Sequence, residues 1–166
     1  MFPEQNIRVI YNGLNLKDYK LLKVKRDSVF TIGNLGRLEY QKNQTALLDL
    51  AFLLKQKTSN FKLIIGGEGR QLTALKFKAK QLNVLDVVDF KGGIRNVNKF
   101  MSQLDVFVLT SHWEGFGYVI TEASYLKKPI IAYDISSNPE VVVNHKTGFL
   151  VEKDNLEELV NRVVEL

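Results

Sequence analysis

Short apolar runs rich in β-branched and aromatic residues recur along this chain, and most are followed by a stretch whose apolar residues fall at helical spacing. That alternation leaves few architectures open. The runs occupy residues 8–11, 29–35, 61–65, 87–90, 106–109, 130–133 and 149–151. Several are almost uninterrupted apolar segments, as expected of parallel strands covered on both faces. Between them Leu47, Leu50, Ala51 and Leu54 share one helical face, as do Leu72, Leu75, Ala79 and Leu82, and later Leu156, Leu159, Val160 and Val163. The pattern predicts an α/β domain: a doubly wound, mostly parallel sheet of six or seven strands with helices on both sides. Asn12-Gly13 marks a turn after the first run.

The first run arrives with almost nothing before it, and the last helical pattern stops uncapped at Glu165-Leu166. A domain cut from a longer chain is the expectation. At 166 residues there is enough chain for one domain with a real core. Cysteine is absent, which removes disulfides, thiolate metal sites and cysteine nucleophiles together. No apolar run is long enough to span a bilayer, and the first six residues lack a signal-peptide pattern. The net charge of +5 favours anionic partners: nucleic acid, an acidic membrane surface or a phosphorylated small molecule. The lysines are dispersed and do not interleave with aromatics, and no nucleic-acid module is recognisable.

In an open parallel sheet, ligands bind outside the carboxyl ends of the strands, where loops lead into helices. Three loops place unusual residues there. The first, residues 36–43, reads Gly-Arg-Leu-Glu-Tyr-Gln-Lys-Asn. Arg37 and Lys42 could clamp a diphosphate, one through a forked donor and one as a point charge, or they could be surface cations. The second, Gly66-Gly67-Glu68-Gly69, allows either a ligand's close approach or a plain tight turn, and it lacks the third glycine of a dinucleotide fingerprint because residue 72 is Leu. The third, Glu114-Gly115-Phe116-Gly117, opens a helix running to about Leu126, with amides ready for an anion. In that helix Val119, Ile120, Ala123 and Leu126 form the core stripe. Glu122 sits at its edge, as a surface residue or as a carboxylate held for a ligand.

Taken in order, Gly-Arg-Leu, Gln-Lys-Asn, Gly-Gly-Glu-Gly, Phe90-Lys91-Gly92 and Glu114-x7-Glu122 resemble the group 1 glycosyltransferases, retaining enzymes of the GT-B fold. Pro129-Ile130-Ile131-Ala132, Pro139-Glu140-Val141 and Gly148-Phe149-Leu150-Val151 continue the match across nearly the whole chain. The resemblance implies that residues 1–166 are a single Rossmann-like donor domain, the C-terminal half of such an enzyme. The acceptor domain would precede residue 1, and the C-terminal end would be truncated. It implies transfer of a sugar from a nucleoside diphosphate sugar, by preference a UDP-sugar, to an acceptor hydroxyl with retention, in bacterial polysaccharide or glycolipid synthesis. Arg37 and Lys42 would bind the diphosphate. Glu114 would contact the donor sugar, and Gly115, Phe116 and Gly117 would face sugar and distal phosphate through their amides. Val119 would lie near the ribose, whose hydroxyls Glu122 would accept, and the segment from Phe90 to Ile94 would edge the base. One departure stands out: Ser136-Ser137-Asn138 precedes Pro139-Glu140 where the family often has a glycine pair.

The two histidines, His112 and His145, do not form a metal-ligand pair by spacing, and no Asp-x-Asp occurs, so the expectation is catalysis without metal or other cofactor. His112 reads as a loop residue near the site, and Ser111 and Ser124 as structural. The expected partners are the donor and, through the missing domain, a sugar, lipid-linked or polysaccharide acceptor, with no nucleic acid. The expected location is the cytoplasm, with peripheral contact on the inner membrane face open to the full-length protein. Two other functions share the architecture: a nucleotide-sugar epimerase, and a binding module without activity. On its own the domain is expected to bind donor and turn over little.

Overall fold

Strands form where the apolar runs predict them, and successive residues supply the two faces of one sheet. The computed structural model describes residues 8, 10, 12–24 and 28–166. Its strands are β1 (Phe30–Leu35), β2 (Phe61–Gly66), β3 (Val88–Gly92), β4 (Val106–Leu109), β5 (Ile130–Tyr133) and β6 (Gly148–Val151). They lie in the order β3-β2-β1-β4-β5-β6, every neighbouring pair parallel. The strand expected at 8–11 rests on residues 9 and 11, which lie outside the described residues.

The helices are α1 (Gln44–Lys55), α2 (Leu72–Gln81), α3 (Val97–Ser102), α4 (Tyr118–Tyr125), α5 (Asn138–Val141) and α6 (Leu156–Glu165). On one face Leu47, Leu50 and Leu54 of α1, Leu75 and Ala79 of α2 and Leu159, Val160 and Val163 of α6 pack with Ile32, Leu63, Val106 and Val108. On the other, Phe100 and Met101 of α3 and Ile120 and Ala123 of α4 pack with Ile64, Phe107, Leu109 and Ile130. Val106 and Val108 thus face one layer while Phe107 and Leu109 face the other, which is why the run carries no polar alternation.

Two helices were not visible as patterns. α3 and α5 have six and four residues, too few for a helical period to show. α3 carries a side-chain cap at its start: the Asn96 side chain accepts from the Lys99 amide at 2.8 Å. In α4 the buried stripe is Ile120, Ala123 and then Leu126; Val119, expected within it, is half-buried.

The strand order reverses between β1 and β4, each of which leads away to helices on opposite faces. Their ladder covers just Ile32 with Val106 and Gly33 with Phe107. Beyond Gly33 the Asn34 side-chain amide donates to the Val108 carbonyl at 2.8 Å in place of a backbone bond. A crevice at the carboxyl edge follows from that reversal.

Candidate functional site

The carboxyl ends of β1 and β4 feed the two loops that flank the crevice, and hydrogen bonds stitch those loops together. The His112 amide donates to the Gln41 carbonyl at 2.8 Å, and the Gln41 side chain to the Trp113 carbonyl at 3.0 Å. Thr110 Oγ1 donates to the Asn43 carbonyl at 2.9 Å. Asn43 ends a short 3-10 turn (Tyr40–Lys42) in the left-handed region and starts α1, a conformation asparagine tolerates better than most residues. The rings of Tyr40, His112 and Trp113 cluster along this seam, His112 and Trp113 nearly parallel and Tyr40 tilted against His112 at a centroid distance of 4.5 Å.

At the centre of the seam Lys42 Nζ donates to Glu114 Oε1 at 2.6 Å. The Glu114 side chain is 5% exposed and that of Lys42 is 15%. Ser111 Oγ donates to the same Oε1 at 2.6 Å. Burying a carboxylate is costly unless its charge is paired and hydrogen-bonded, and these two donors do both. Glu114 Oε2 accepts no hydrogen bond among the described residues. Ser111, read from sequence as structural, is therefore tied directly to Glu114. The motif itself, a hydroxyl three residues before a carboxylate, was the available signal.

The departure at 136–138 has a structural consequence. Ser136 holds φ 49°, the left-handed backbone that favours glycine. Its Oγ accepts from the Glu114 amide at 3.3 Å, a bond glycine could not make.

Past Glu114, the amides of Gly115, Phe116, Gly117 and Val119 donate to no acceptor among the described residues. They precede or begin α4, where free N–H groups and the helix dipole together favour an anion. A Cβ built on Gly115 meets nothing within 4 Å, so space is open above it. Arg37 is exposed in the β1 loop, and no hydrogen bond or ion pair ties its side chain among the described residues.

The Gly66-Gly67-Glu68-Gly69 loop packs against the β1 loop, backbone to backbone. Leu38 N donates to the Glu68 carbonyl at 2.9 Å and Gln71 N to the Leu38 carbonyl at 3.0 Å. A Cβ on Gly67 would lie 1.8 Å from the Gly36 carbonyl oxygen, and φ there is +130°. This structural requirement accounts for the glycine.

Ile94 lies past the end of β3 and lines a cavity of about 310 Å³ with Lys91, Arg95, Asn96 and Phe100. A larger cavity, about 390 Å³, lies at the opposite, amino edge of the sheet, around Lys127, His145, Lys146 and Phe149. It shares no residue with the loops described above.

Glu122 sits half-buried in the second turn of α4 and accepts from Tyr19 OH at 2.7 Å. That bond, with burial second, pushes the Tyr19 hydroxyl up to about 12. Sequence reasoning missed Tyr19, and with the partners separated by 103 positions no local pattern could have linked them. The structure thus joins Lys42 to Glu114 across the crevice and sets the free amides beside them. Arg37 and Ile94 lie in loops at the same carboxyl edge, and no hydrogen bond or ion pair links them or Glu122 to that pair among the described residues.

A reversing α/β sheet with cations, free amides and a held carboxylate at its carboxyl crevice defines a domain suited to a phosphorylated ligand. The chain belongs to the glycosyl transferases of group 1, whose family pattern it matches over residues 20–166. It is 32% identical over 96% of its length to an uncharacterised glycosyltransferase of Haemophilus influenzae, covering 45% of that protein. It is 30% identical over 95% of its length to the Escherichia coli UDP-Gal:alpha-D-GlcNAc-diphosphoundecaprenol alpha-1,3-galactosyltransferase, covering 44%. The crystal structure of Anabaena HepE in complex with UDP and glucose superposes with a TM-score of 0.85 at 26% identity, over 95% of this chain and 46% of that one. The chain therefore spans less than half the length of these relatives, and it matches their C-terminal part, one portion of a GT-B enzyme. No helix among the described residues is long and apolar enough to cross a membrane.

Proposed function

We propose that this chain is the donor-binding domain of a retaining glycosyltransferase that moves a sugar from a UDP-sugar to an acceptor hydroxyl, in bacterial polysaccharide or glycolipid synthesis. The observation that carries it is the Lys42–Glu114 pair, its carboxylate buried, at the sheet's switch point beside the amides of Gly115, Phe116 and Gly117, which have no acceptor among the described residues. The E. coli relative's name specifies a UDP-galactose donor, and HepE holds UDP and glucose, which supports uridine as the base. Cleaving the bond to the anomeric carbon builds charge on the departing diphosphate. Lys42 and the α4 amides, fixed beforehand, together with Arg37 from the β1 loop, stabilise that charge more in the transition state than in the ground state, with no metal in this reading. Glu114 offers Oε2 to donor-sugar hydroxyls while Oε1 stays with Lys42 and Ser111. Val119 and Glu122 take the ribose, and Ile94 edges the base. The acceptor, sugar or lipid-linked, is held by a domain preceding residue 1, so the isolated domain binds donor without turnover.

A panel of nucleotide sugars tested for thermal stabilisation, with chelator present, checks this. A ligand at a hundred times its dissociation constant adds about 2.7 kcal/mol, easily seen as a raised midpoint. UDP-linked sugars are expected to stabilise the chain without divalent ions. Indifference to every nucleotide sugar, or an absolute need for a divalent ion, would refute the proposal.

A further inference from the structure

We infer that Tyr19 is a positioning residue for the nucleotide site: its hydroxyl fixes the Glu122 carboxylate in the orientation that accepts the ribose. This rests on the assignment of Glu122 to the ribose made above. Residues 12–22, ahead of β1 in the chain, run as a strap across α3 and α4, and their anchors are specific. Asn98 of α3 grips it twice, donating to the Asp18 carbonyl at 2.8 Å and accepting from the Lys20 amide at 3.1 Å. The Leu22 amide donates to Ser102 Oγ at 2.9 Å. On α4 the Tyr19 ring meets Tyr125 edge-on, with centroids 6.3 Å apart, and Tyr118 OH donates to the Asn12 side chain at 3.2 Å. A short 3-10 turn, Leu16–Asp18, sets the strap's direction just before Tyr19, and the Asn15 side chain braces it through Asp18 at 2.9 Å.

These contacts make Tyr19 a rigid donor. Its hydroxyl meets Glu122 Oε1 at 2.7 Å, and Oε2 accepts no hydrogen bond among the described residues. A glutamate on a helix surface otherwise samples several rotamers, and freezing them before a ligand arrives raises affinity. One hydrogen bond to Oε1 leaves acceptor capacity on both oxygens, enough for two ribose hydroxyls. The tyrosine therefore supports the ribose bonds and does not compete with them.

The test is titration of UDP and of 2′,3′-dideoxy-UDP into the wild-type chain, Tyr19→Phe and Glu122→Gln, with thermal midpoints measured alongside. Wild type should prefer UDP, and Glu122→Gln should lose that preference. Tyr19→Phe should weaken UDP about fivefold, equivalent to about 1 kcal/mol, and leave the dideoxy nucleotide unchanged. If wild type does not distinguish the two nucleotides, or Glu122→Gln weakens both equally, the ribose assignment itself falls, and Tyr19's role with it. If Glu122→Gln behaves as required while Tyr19→Phe keeps the full preference, the positioning role alone is overturned. Equal loss of both nucleotides in Tyr19→Phe would show a structural tyrosine, and tighter UDP binding would show a competitor; either contradicts the inference.

Discussion

Lys42 has two tasks that one substitution can separate. Its ammonium is one of two donors to the buried Glu114 carboxylate, and in the proposed function it also faces the donor's diphosphate. Lys42→Met keeps the aliphatic stem and leaves Glu114 with Ser111 alone. Losing a hydrogen bond to a buried charge should lower stability by about 2 kcal/mol, read from denaturant unfolding. UDP affinity should fall much more than uridine affinity, since the phosphates alone feel the lost charge; equal loss for both would remove the phosphate role. Arg37, Lys42, Glu114 and Glu122 were singled out through the family resemblance, since local pattern alone left Arg37, Lys42 and Glu122 open as surface groups. Ser136 and Tyr19 were not. Their partners lie 22 and 103 residues away, and neither residue type carries a signal for a bond made only in the folded chain.

The loop after β2 shows how an element's geometry decides between two readings of the same glycines. From sequence, residues 66–69 suited a ligand or a turn equally. The structure shows Gly67 pressed against the Gly36 carbonyl, while Gly115 in the α4 loop has open space about it. Gly67→Ala should therefore cost at least about 2 kcal/mol, from a backbone that alanine rarely adopts and a contact that cannot form. Gly115→Ala should change stability by less than about 0.5 kcal/mol. Circular dichroism melts of the two variants check the contrast, and equal midpoints would contradict it. Among the elements, β4 and β5 were readable to the residue because their apolar runs end abruptly on polar or turn residues. α3 and α5 were hidden by their brevity, while Val119, read into the α4 stripe, packs against that core from a half-buried position.

At the scale of the whole molecule the strand order matters more than any single residue. Alternating strands and helices predict a doubly wound sheet, but the position of the reversal depends on which strands pair. Pairing is long-range information that no single apolar run contains. Once β1 and β4 are neighbours, every loop singled out in the sequence falls at the same carboxyl edge. The amino edge carries the larger cavity and a cluster of lysines, so size and charge alone would point there. The most direct test is to add UDP to isotopically labelled chain, without divalent ions, and follow backbone amide resonances. Binding at the carboxyl crevice predicts the largest shifts at Gly115, Phe116, Gly117 and Val119 and in the loop from Gly36 to Lys42. Shifts centred on Lys127, Lys128 and the residues from His145 to Phe149, or none at saturating UDP, would contradict the account.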